Sequence, residues 1–148
     1  NGIKDTMQAH GLHGSLIIKH FESTRFDSIF PQEIEFGFAL TKELLRSAFP
    51  TAIIGTSDLL ALGAVNYILT ETDLKIPSDI SICGFNDIYL SSLLNPKLTT
   101  VNHNFAAGCR AALDLLITNL GHPNKNEPNS ILIDSKLVVR NTTGPILR

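Results

Sequence analysis

The fold of this chain is decided by residues 50–101, which read PTAIIGTSDLLALGAVNYILTETDLKIPSDISICGFNDIYLSSLLNPKLTTV. Two short apolar runs in it, TAIIGT and DISICGF, flank an apolar stretch of helical character. Each run ends where a polar group can face a ligand. This order predicts a β-α-β unit, and in such units ligands lie beyond the carboxyl ends of the strands.

The rest of the chain also alternates between helical and strand-like segments. Pro50 ends one helix and starts the first strand of the unit, and Ser57 or Asp58 can cap the helix that follows. Gly84 predicts a sharp turn after the second strand. The expected elements are helices at 3–10, 32–48, after residue 58 and at 105–120, and strands at 15–21, 51–55, 79–84, 98–102 and within 131–140. This alternation predicts an α/β fold with a mostly parallel sheet and helices on both faces, in which strand 51–55 is buried.

Composition narrows the class of protein. The chain has 148 residues, of which 43% are hydrophobic, and this suits one globular domain. Its formal net charge is -2 and it has no run of Lys or Arg, so we expect no direct contact with DNA. Two cysteines, Cys83 and Cys109, are too few for a disulfide framework, which favours reduced thiols and a cytoplasmic location. No apolar run is long enough to span a bilayer, so we expect no membrane partner.

Motifs that carry catalysis or hold cofactors are missing from the sequence. It contains no GxGxxG, no phosphate-binding loop of the Walker type, no GxSxG and no CxxC or HExxH spacing. Five scattered His residues without a Cys or acidic cluster do not predict a metal site. We therefore expect neither a cofactor nor a metal, and no enzymatic activity.

The order of the expected elements and the amino-acid sequence of residues 50–101 resemble the effector-binding core of the LacI/GalR family of bacterial transcription regulators. KLVVRNTTGP, residues 136–145, is similar to the closing strand and tail of that family. The resemblance implies a periplasmic-binding-protein-like fold that binds a small molecule, commonly a sugar, between two lobes. Effector binding would then control operator binding allosterically.

Asn86 and Ser57 are the first ligand-binding residues that the resemblance implies. Asn86 stands where the family usually has Asp, so it could bond a sugar hydroxyl without the charge-assisted contribution of a carboxylate. Ser57 stands where many relatives carry Asn, immediately before an Asp that Asp58 matches. Without the resemblance, Asn86 and Asp87 would be read as turn formers that bond their own backbone.

Aromatic residues complete the implied ligand site. Phe105 matches an aromatic that lies against the ligand in several relatives, although packing at a helix start explains it equally well. His103 could face the cleft or cap the strand. Phe21 could stack on the apolar face of a sugar ring. Between Phe21 and Gly37 the chain is longer than is usual in the family, which would reshape the rim of the site.

A homodimer interface is also implied. The helix DLLALGAVNYILTE has almost no polar face in its first turns, which indicates either a helix buried within the chain or a subunit interface. In the family this helix and the segment after the next strand lie at the dimer interface. The resemblance places Leu60, Leu62 and Leu94 there.

The resemblance covers only the latter half of a complete regulator. Residues 1–101 and 129–148 would belong mainly to the second lobe, and residues 102–128 would cross back to the first lobe. The DNA-binding headpiece and most of the first lobe are absent from this sequence, so operator DNA would be bound only through that headpiece.

Three alternative functions compete with this one. A periplasmic sugar-binding protein of a transporter shares the two-lobed fold but would be a monomer with a polar surface where this chain has LLALGAV. A regulator of another class would join the same domain to a winged-helix headpiece. An enzyme could use Asp58 and Asp87 as acid and base, but neither has an evident partner in the sequence that would shift its pKa.

Overall fold

The chain folds as an α/β domain with its helices and strands in alternation. The computed structural model describes residues 2–20, 29–121, 130–145 and 147, with the side chains of residues 29–31 left aside. The helices are α1 (Gly2–Ala9), α2 (Ile29–Ser47), α3 (Asp58–Glu71), α4 (Leu90–Leu93) and α5 (Phe105–Gly121), with a 3-10 turn at His13–Ser15. The strands are β1 (Ala52–Ile54), β2 (Ser81–Phe85), β3 (Thr99–Asn102) and β4 (Lys136–Val138).

Within the described residues the sheet has four strands in the order β1-β2-β3-β4. The first three run parallel, with Ile54 opposite Cys83 and Gly84 opposite Thr100. The last strand is antiparallel to β3 and pairs Thr100 with Val138. The predicted α/β class and mostly parallel sheet are therefore confirmed. The carboxyl ends of the three parallel strands lie at the same end of the sheet. We call this end, with the loops that follow the strands, the carboxyl edge.

Helix α3 supplies most of the core. Ser57 caps its first turn, because the Ser57 hydroxyl accepts a hydrogen bond from the backbone N–H of Leu60 at 3.2 Å. The helix packs on β1 and β2 and is itself covered by α2. Its buried apolar side chains join those of the sheet in one cluster of Leu59, Ala61, Leu62, Ala64, Val65, Ile68, Ile80, Ile82 and Leu98. Burial against the sheet and α2 therefore explains most of its apolar character.

Two glycines allow α2 and α3 to approach closely. A Cβ atom at Gly63 would overlap the backbone carbonyl oxygen of Ile34, and one at Gly37 would overlap that of Leu60. Without side chains at these positions the two helix backbones touch, and Thr41 on α2 is buried beside them with its hydroxyl donating to Gly37 O at 2.7 Å. Close packing of α2 on α3 thus depends on the absence of two side chains.

Two sequence predictions on strands are wrong. Residues 16–20 form no strand, and Ile17 and Ile18 are about half exposed. A strand needs a hydrogen-bonded neighbour, and among the described residues none pairs with this segment. Strand β1, predicted to be buried, lies at the end of the described sheet, so Ala52 and Ile54 are exposed.

The chain after β4 fastens the amino-terminal ends of β2 and β3. Thr142 is fully buried; its hydroxyl donates to Ile82 O at 2.6 Å and accepts from the Thr99 N–H at 2.8 Å. The Ile82 N–H in turn donates to Thr142 O at 2.7 Å. One threonine thereby links the tail to both central strands.

Helix α5 stands apart from this core. Four of its apolar residues recur at helical spacing and are 55–73% exposed, namely Leu113, Leu116, Ile117 and Leu120. No other described helix or strand packs extensively on α5. We call these four residues the α5 face.

We predict opposite effects for alanine at two helical glycines. Gly63→Ala should destabilise the protein by about 1–3 kcal/mol, because the added methyl group forces α2 away from α3. Gly108→Ala, in α5 where a Cβ meets nothing within 4 Å, should be neutral or stabilise by about 0.5–1 kcal/mol. Urea unfolding of the wild type and both variants measures these differences, and equal effects at the two positions would contradict close packing at Gly63.

Candidate functional site

The carboxyl edge brings together four of the five predicted ligand-binding residues. Ser57 follows β1, Asn86 follows β2, and His103 and Phe105 follow β3. The fifth, Phe21, lies outside the described residues. Three strand ends thus present polar and aromatic side chains on one side of the sheet, as ligand sites on parallel sheets do.

Asn86 stands on a tight loop at this edge. Its φ is 120° and that of Asp87 is 54°, so two successive residues adopt conformations that favour glycine. The Asn86 N–H donates to Val101 O at 2.9 Å, while the residue itself stays exposed. The turn is made by Asn86 and Asp87 and not by Gly84, which lies inside β2 and is glycine because a Cβ there would overlap the Asp58 carboxylate.

Asp58 lies beneath the carboxyl edge and is fully buried. Its Oδ2 atom accepts hydrogen bonds from the Ile88 N–H at 2.8 Å and from the Ser91 hydroxyl at 2.6 Å. Its Oδ1 atom accepts one from the Thr100 hydroxyl. The carboxylate thereby connects the start of α3 to β3 and to the loop that carries Asn86, and it faces no solvent.

Asp87, the second acidic residue of the segment, is paired with Arg140. Its Oδ1 atom lies 2.5 Å from Arg140 Nη2, and its Oδ2 atom accepts from Asn102 Nδ2 at 2.9 Å. Burial raises the pKa of Asp87, but the hydrogen bonds from Arg140 and Asn102 and the charge of Arg140 outweigh burial, so the pKa is lowered. Asp87 is therefore an ionised structural anchor.

The Ser57 hydroxyl makes two hydrogen bonds. Besides capping α3, it donates to Glu33 Oε2 at 2.7 Å, and Glu33 belongs to α2. A hydroxyl has one proton and two lone pairs, so one acceptor position remains for a ligand. Glu33 brings a half-buried carboxylate to the carboxyl edge that the sequence reading did not predict there.

Three rings form an aromatic cluster beside Asn86. His103 stacks on Phe85 with centroids 5.6 Å apart and an interplanar angle of 10°, and Phe105 meets His103 edge-on at 6.1 Å. Phe105 is 72% exposed, so packing at the helix start is not its role in the described part of the chain. His103 Nδ1 is buried and has no hydrogen-bond partner among the described residues.

The residues predicted at a dimer interface have different surroundings. Leu62 is 5% exposed and packs in the core, so it has little surface to offer a partner. Leu60 is half-buried and Leu94 is 44% exposed. Around Leu94 further large apolar side chains face outward, which are Tyr89, Leu90 and Leu93. Together these four residues form what we call the α4 patch.

Other kinds of site find little support in the described residues. No group of three or more His, Cys, Asp or Glu side chains could hold a metal ion there. None of the described helices has both the length and the apolar character needed to cross a bilayer. Cys83 and Cys109 are free thiols, and burial together with the negative charge of Asp58 raises the pKa of Cys83, which disfavours a reactive thiolate.

Sequence reasoning missed four residues at this edge, namely Glu33, Phe85, Asn102 and Arg140. Phe85 and Arg140 belong to sequence motifs that were recognised. Only the folded chain places Phe85 beside His103 and Arg140 beside Asp87. Glu33 lies 24 residues before Ser57, and no local pattern links the two positions.

We predict that Asp58→Asn destabilises the protein far more than an exposed change of the same kind. The amide group cannot accept from all three donors, and a buried donor left without an acceptor costs about 1–3 kcal/mol. Asp73→Asn, at an exposed position, is the matched control and should change the free energy of unfolding by less than about 0.5 kcal/mol. Chemical denaturation of both variants checks this, and similar losses would contradict the structural role of Asp58.

Acid should abolish the contribution of Asp87. A carboxyl whose folded-state pKa lies below its ordinary value near 3.8 stabilises the fold above that value and loses the contribution as the pH falls through the folded-state pKa. The wild type should therefore be more stable than Asp87→Asn at about pH 6, and the difference should narrow as the pH falls below about 3.8. Unfolding curves at a series of pH values from 6 downward measure this difference, and a difference independent of pH would refute the ionised pair.

Comparisons with known proteins identify the domain. Residues 1–143 match the family model described as a periplasmic binding protein-like domain. The HTH-type transcriptional repressor PurR of Haemophilus influenzae is 33% identical over 118 residues, which cover 78% of this chain and 35% of the repressor. The ribose operon repressor of the same species is 36% identical over 98 residues, covering 62% of this chain and 29% of that protein.

A solved structure agrees with these relatives. The LacI family transcriptional regulator from Enterococcus faecium, with bound ribose, superposes with a TM-score of 0.79 at 27% identity, covering 98% of this chain and 50% of that one. The chain spans about a third of the length of the curated relatives it matches. It belongs to the periplasmic binding protein-like domain family and is an effector-binding domain of the LacI/GalR type.

Proposed function

We propose that this chain is the effector-sensing and dimerisation region of a bacterial LacI-type transcriptional regulator. The observation that carries the proposal is the convergence of Ser57, Asn86, His103 and Phe105 at the carboxyl edge. This edge offers hydrogen-bonding groups together with an exposed aromatic ring, the combination that small-molecule sites use to bind and orient a ligand.

A sugar is the class of effector that these side chains suit best. The Asn86 amide can both donate to and accept from a hydroxyl, and Ser57 retains an acceptor position. Glu33, hydrogen-bonded to Ser57, adds a carboxylate that could supply the charge-assisted bond that Asn86 lacks. The exposed ring of Phe105 could lie against the apolar face of a sugar ring. The solved relative from Enterococcus faecium holds ribose, which agrees with this class.

The first lobe is needed to complete the site. The α5 face is apolar and uncovered in the described part of the chain, and apolar surface of this extent is normally covered by another part of a protein. Residues 102–128 would cross to a first lobe that packs on this face and forms the opposite wall of the cleft. Residues 1–101 and 129–148 would belong mainly to the second lobe.

Regulation would follow from closure of the two lobes. An effector that binds one relative orientation of the lobes better than the other shifts their equilibrium by its differential affinity, typically about 1–3 kcal/mol. In a dimer this change would alter the spacing of two DNA-binding headpieces. The chain has a formal net charge of -2, so operator DNA would be bound through a headpiece outside it, in the cytoplasm.

The proposed dimer interface is the α4 patch together with Leu60. The patch concentrates large apolar side chains in and beside α4, and Ser91 of that helix is bound to Asp58 at the start of α3. Leu62 contributes from the core by holding α3 in place. A monomeric binding protein of a transporter is the alternative function, and oligomeric state separates it from the regulator.

Enzymatic activity is disfavoured by the surroundings of the two carboxylates that could act as acid and base. Asp58 is buried and accepts three hydrogen bonds, and Asp87 is bound to Arg140. Neither carboxylate is free to exchange a proton with a substrate at the carboxyl edge.

Sugar binding tests the proposed function directly. The full-length protein should bind a sugar such as ribose, which the relative from Enterococcus faecium holds, in isothermal titration calorimetry. Asn86→Ala should weaken that binding about tenfold, because it removes a hydrogen bond made inside the cleft. Asn66→Ala, an exposed change on α3, should leave affinity unchanged. Binding of a nucleobase in place of every sugar would overturn the sugar assignment while keeping the regulator.

Light scattering tests the dimer. The wild-type protein should have the mass of a dimer, and Leu94→Asp should shift it toward monomer because a carboxylate placed in an apolar interface is desolvated without a partner. Leu132→Asp, at a side chain that is 93% exposed, is the matched control and should remain a dimer. A monomeric wild type would favour the transporter-type binding protein.

A further inference from the structure

We propose that Arg140 is a positioning residue that acts through Asp87 to hold Asn86 in its ligand-facing conformation. The inference rests on the proposed function for the role of Asn86, and it adds a residue from the opposite end of the sequence to that site. Arg140 lies 54 positions after Asn86, in the segment that follows β4.

The backbone at Asn86 needs a constraint. Asn86 and Asp87 both have positive φ, at 120° and 54°. Asp tolerates the left-handed region near 54°, but the φ of Asn86 lies outside that region and persists only where the surroundings impose it. The backbone bond from the Asn86 N–H to Val101 O is one constraint. The bond from the Asp87 N–H to Thr100 Oγ1 is long, at 3.4 Å. The Ile88 N–H holds the loop one residue further on, by donating to Asp58 Oδ2 at 2.8 Å. Between these two backbone bonds, the further constraint on Asp87 must come from its side chain.

The Asp87 side chain supplies the missing constraint. It is held from two directions, by Arg140 Nη2 at 2.5 Å and by Asn102 Nδ2 at 2.9 Å. Both side chains of the ion pair are well shielded, with 16% of Arg140 and 15% of Asp87 exposed. An ion pair shielded in this way is screened less by solvent than an exposed one, so it can fix the residue next to Asn86.

Arg140 is itself held by hydrogen bonds to residues at the start of β3, so it can restrain the Asp87 side chain. Its Nη1 atom donates to Leu98 O at 2.7 Å, and its backbone N–H donates to Thr99 Oγ1 at 2.9 Å. Two residues later Thr142 is tied to β2 and β3. The guanidinium therefore connects the loop to the backbone immediately before β3, while the Arg140 backbone N–H is bound to the first residue of that strand. Neither residue of the ion pair has to touch the effector.

Hydrogen exchange of the full-length protein tests the positioning without a ligand. Asp87→Asn and Arg140→Gln should each speed exchange of peptide amides in residues 84–90 about tenfold or more, while the Ile82 amide bound to Thr142 stays protected. Glu43→Gln removes the exposed ion pair with Lys19 and is the matched control, with no change in residues 84–90. Unchanged exchange in that segment for Asp87→Asn would overturn the proposal, as would an equal rise at Ile82, because the role would then be general stability.

A double-mutant cycle on ribose affinity tests whether the Asp87–Arg140 pair affects ligand binding through Asn86. Asp87→Asn should weaken ribose binding about tenfold in the wild-type background and have almost no effect in an Asn86→Ala background, because the pair acts through Asn86. Equal weakening in both backgrounds would overturn the route through Asn86. If ribose does not bind the wild-type protein, that sugar assignment fails, and the exchange measurement still decides whether the pair holds the loop.

Discussion

The rest of the structure depends on the hydrogen bonds that the buried carboxylate of Asp58 accepts. Burying a carboxylate away from water is costly unless it is hydrogen-bonded, and here the donors come from Ile88, Ser91 and Thr100. These donors lie on the loop after β2, on α4 and on β3, so one side chain at the start of α3 joins three separate parts of the chain. Gly84 is glycine because the carboxylate occupies the space that a Cβ would need.

This arrangement divides the carboxyl edge into a rigid base and an exposed rim. Asp58 and Asp87 form the base, and each is engaged by protein donors and unavailable to a ligand. Asn86 and Phe105 form the rim, where side chains are exposed. In the proposed function such a division would hold the ligand-binding groups in place before the effector arrives, which would reduce the ordering that binding requires.

Much of the fold was predictable because it follows from local patterns. The apolar runs before Gly55 and Gly84 predicted β1 and β2, and a cap at either Ser57 or Asp58 with the apolar helix after it predicted α3. The same patterns failed at residues 16–20 and for the burial of β1, since β-rich composition cannot show whether a neighbouring strand is present. Glu33 and Arg140 could not be predicted at the site, because each meets its partner across a long sequence separation.

The resemblance of residues 50–101 and 136–145 to the LacI/GalR family indicated the family. The sequence by itself determined the α/β class and the strand ends at which Ser57, Asn86, His103 and Phe105 lie. It could do so because side-chain period, capping and turn residues act within a few positions of one another. Only the tertiary structure decided that Leu62 belongs to the core, that Gly84 makes room for a carboxylate, and that Asp87 pairs with Arg140. Burial and ion pairing depend on which distant segments meet, and that is decided by packing of the whole chain.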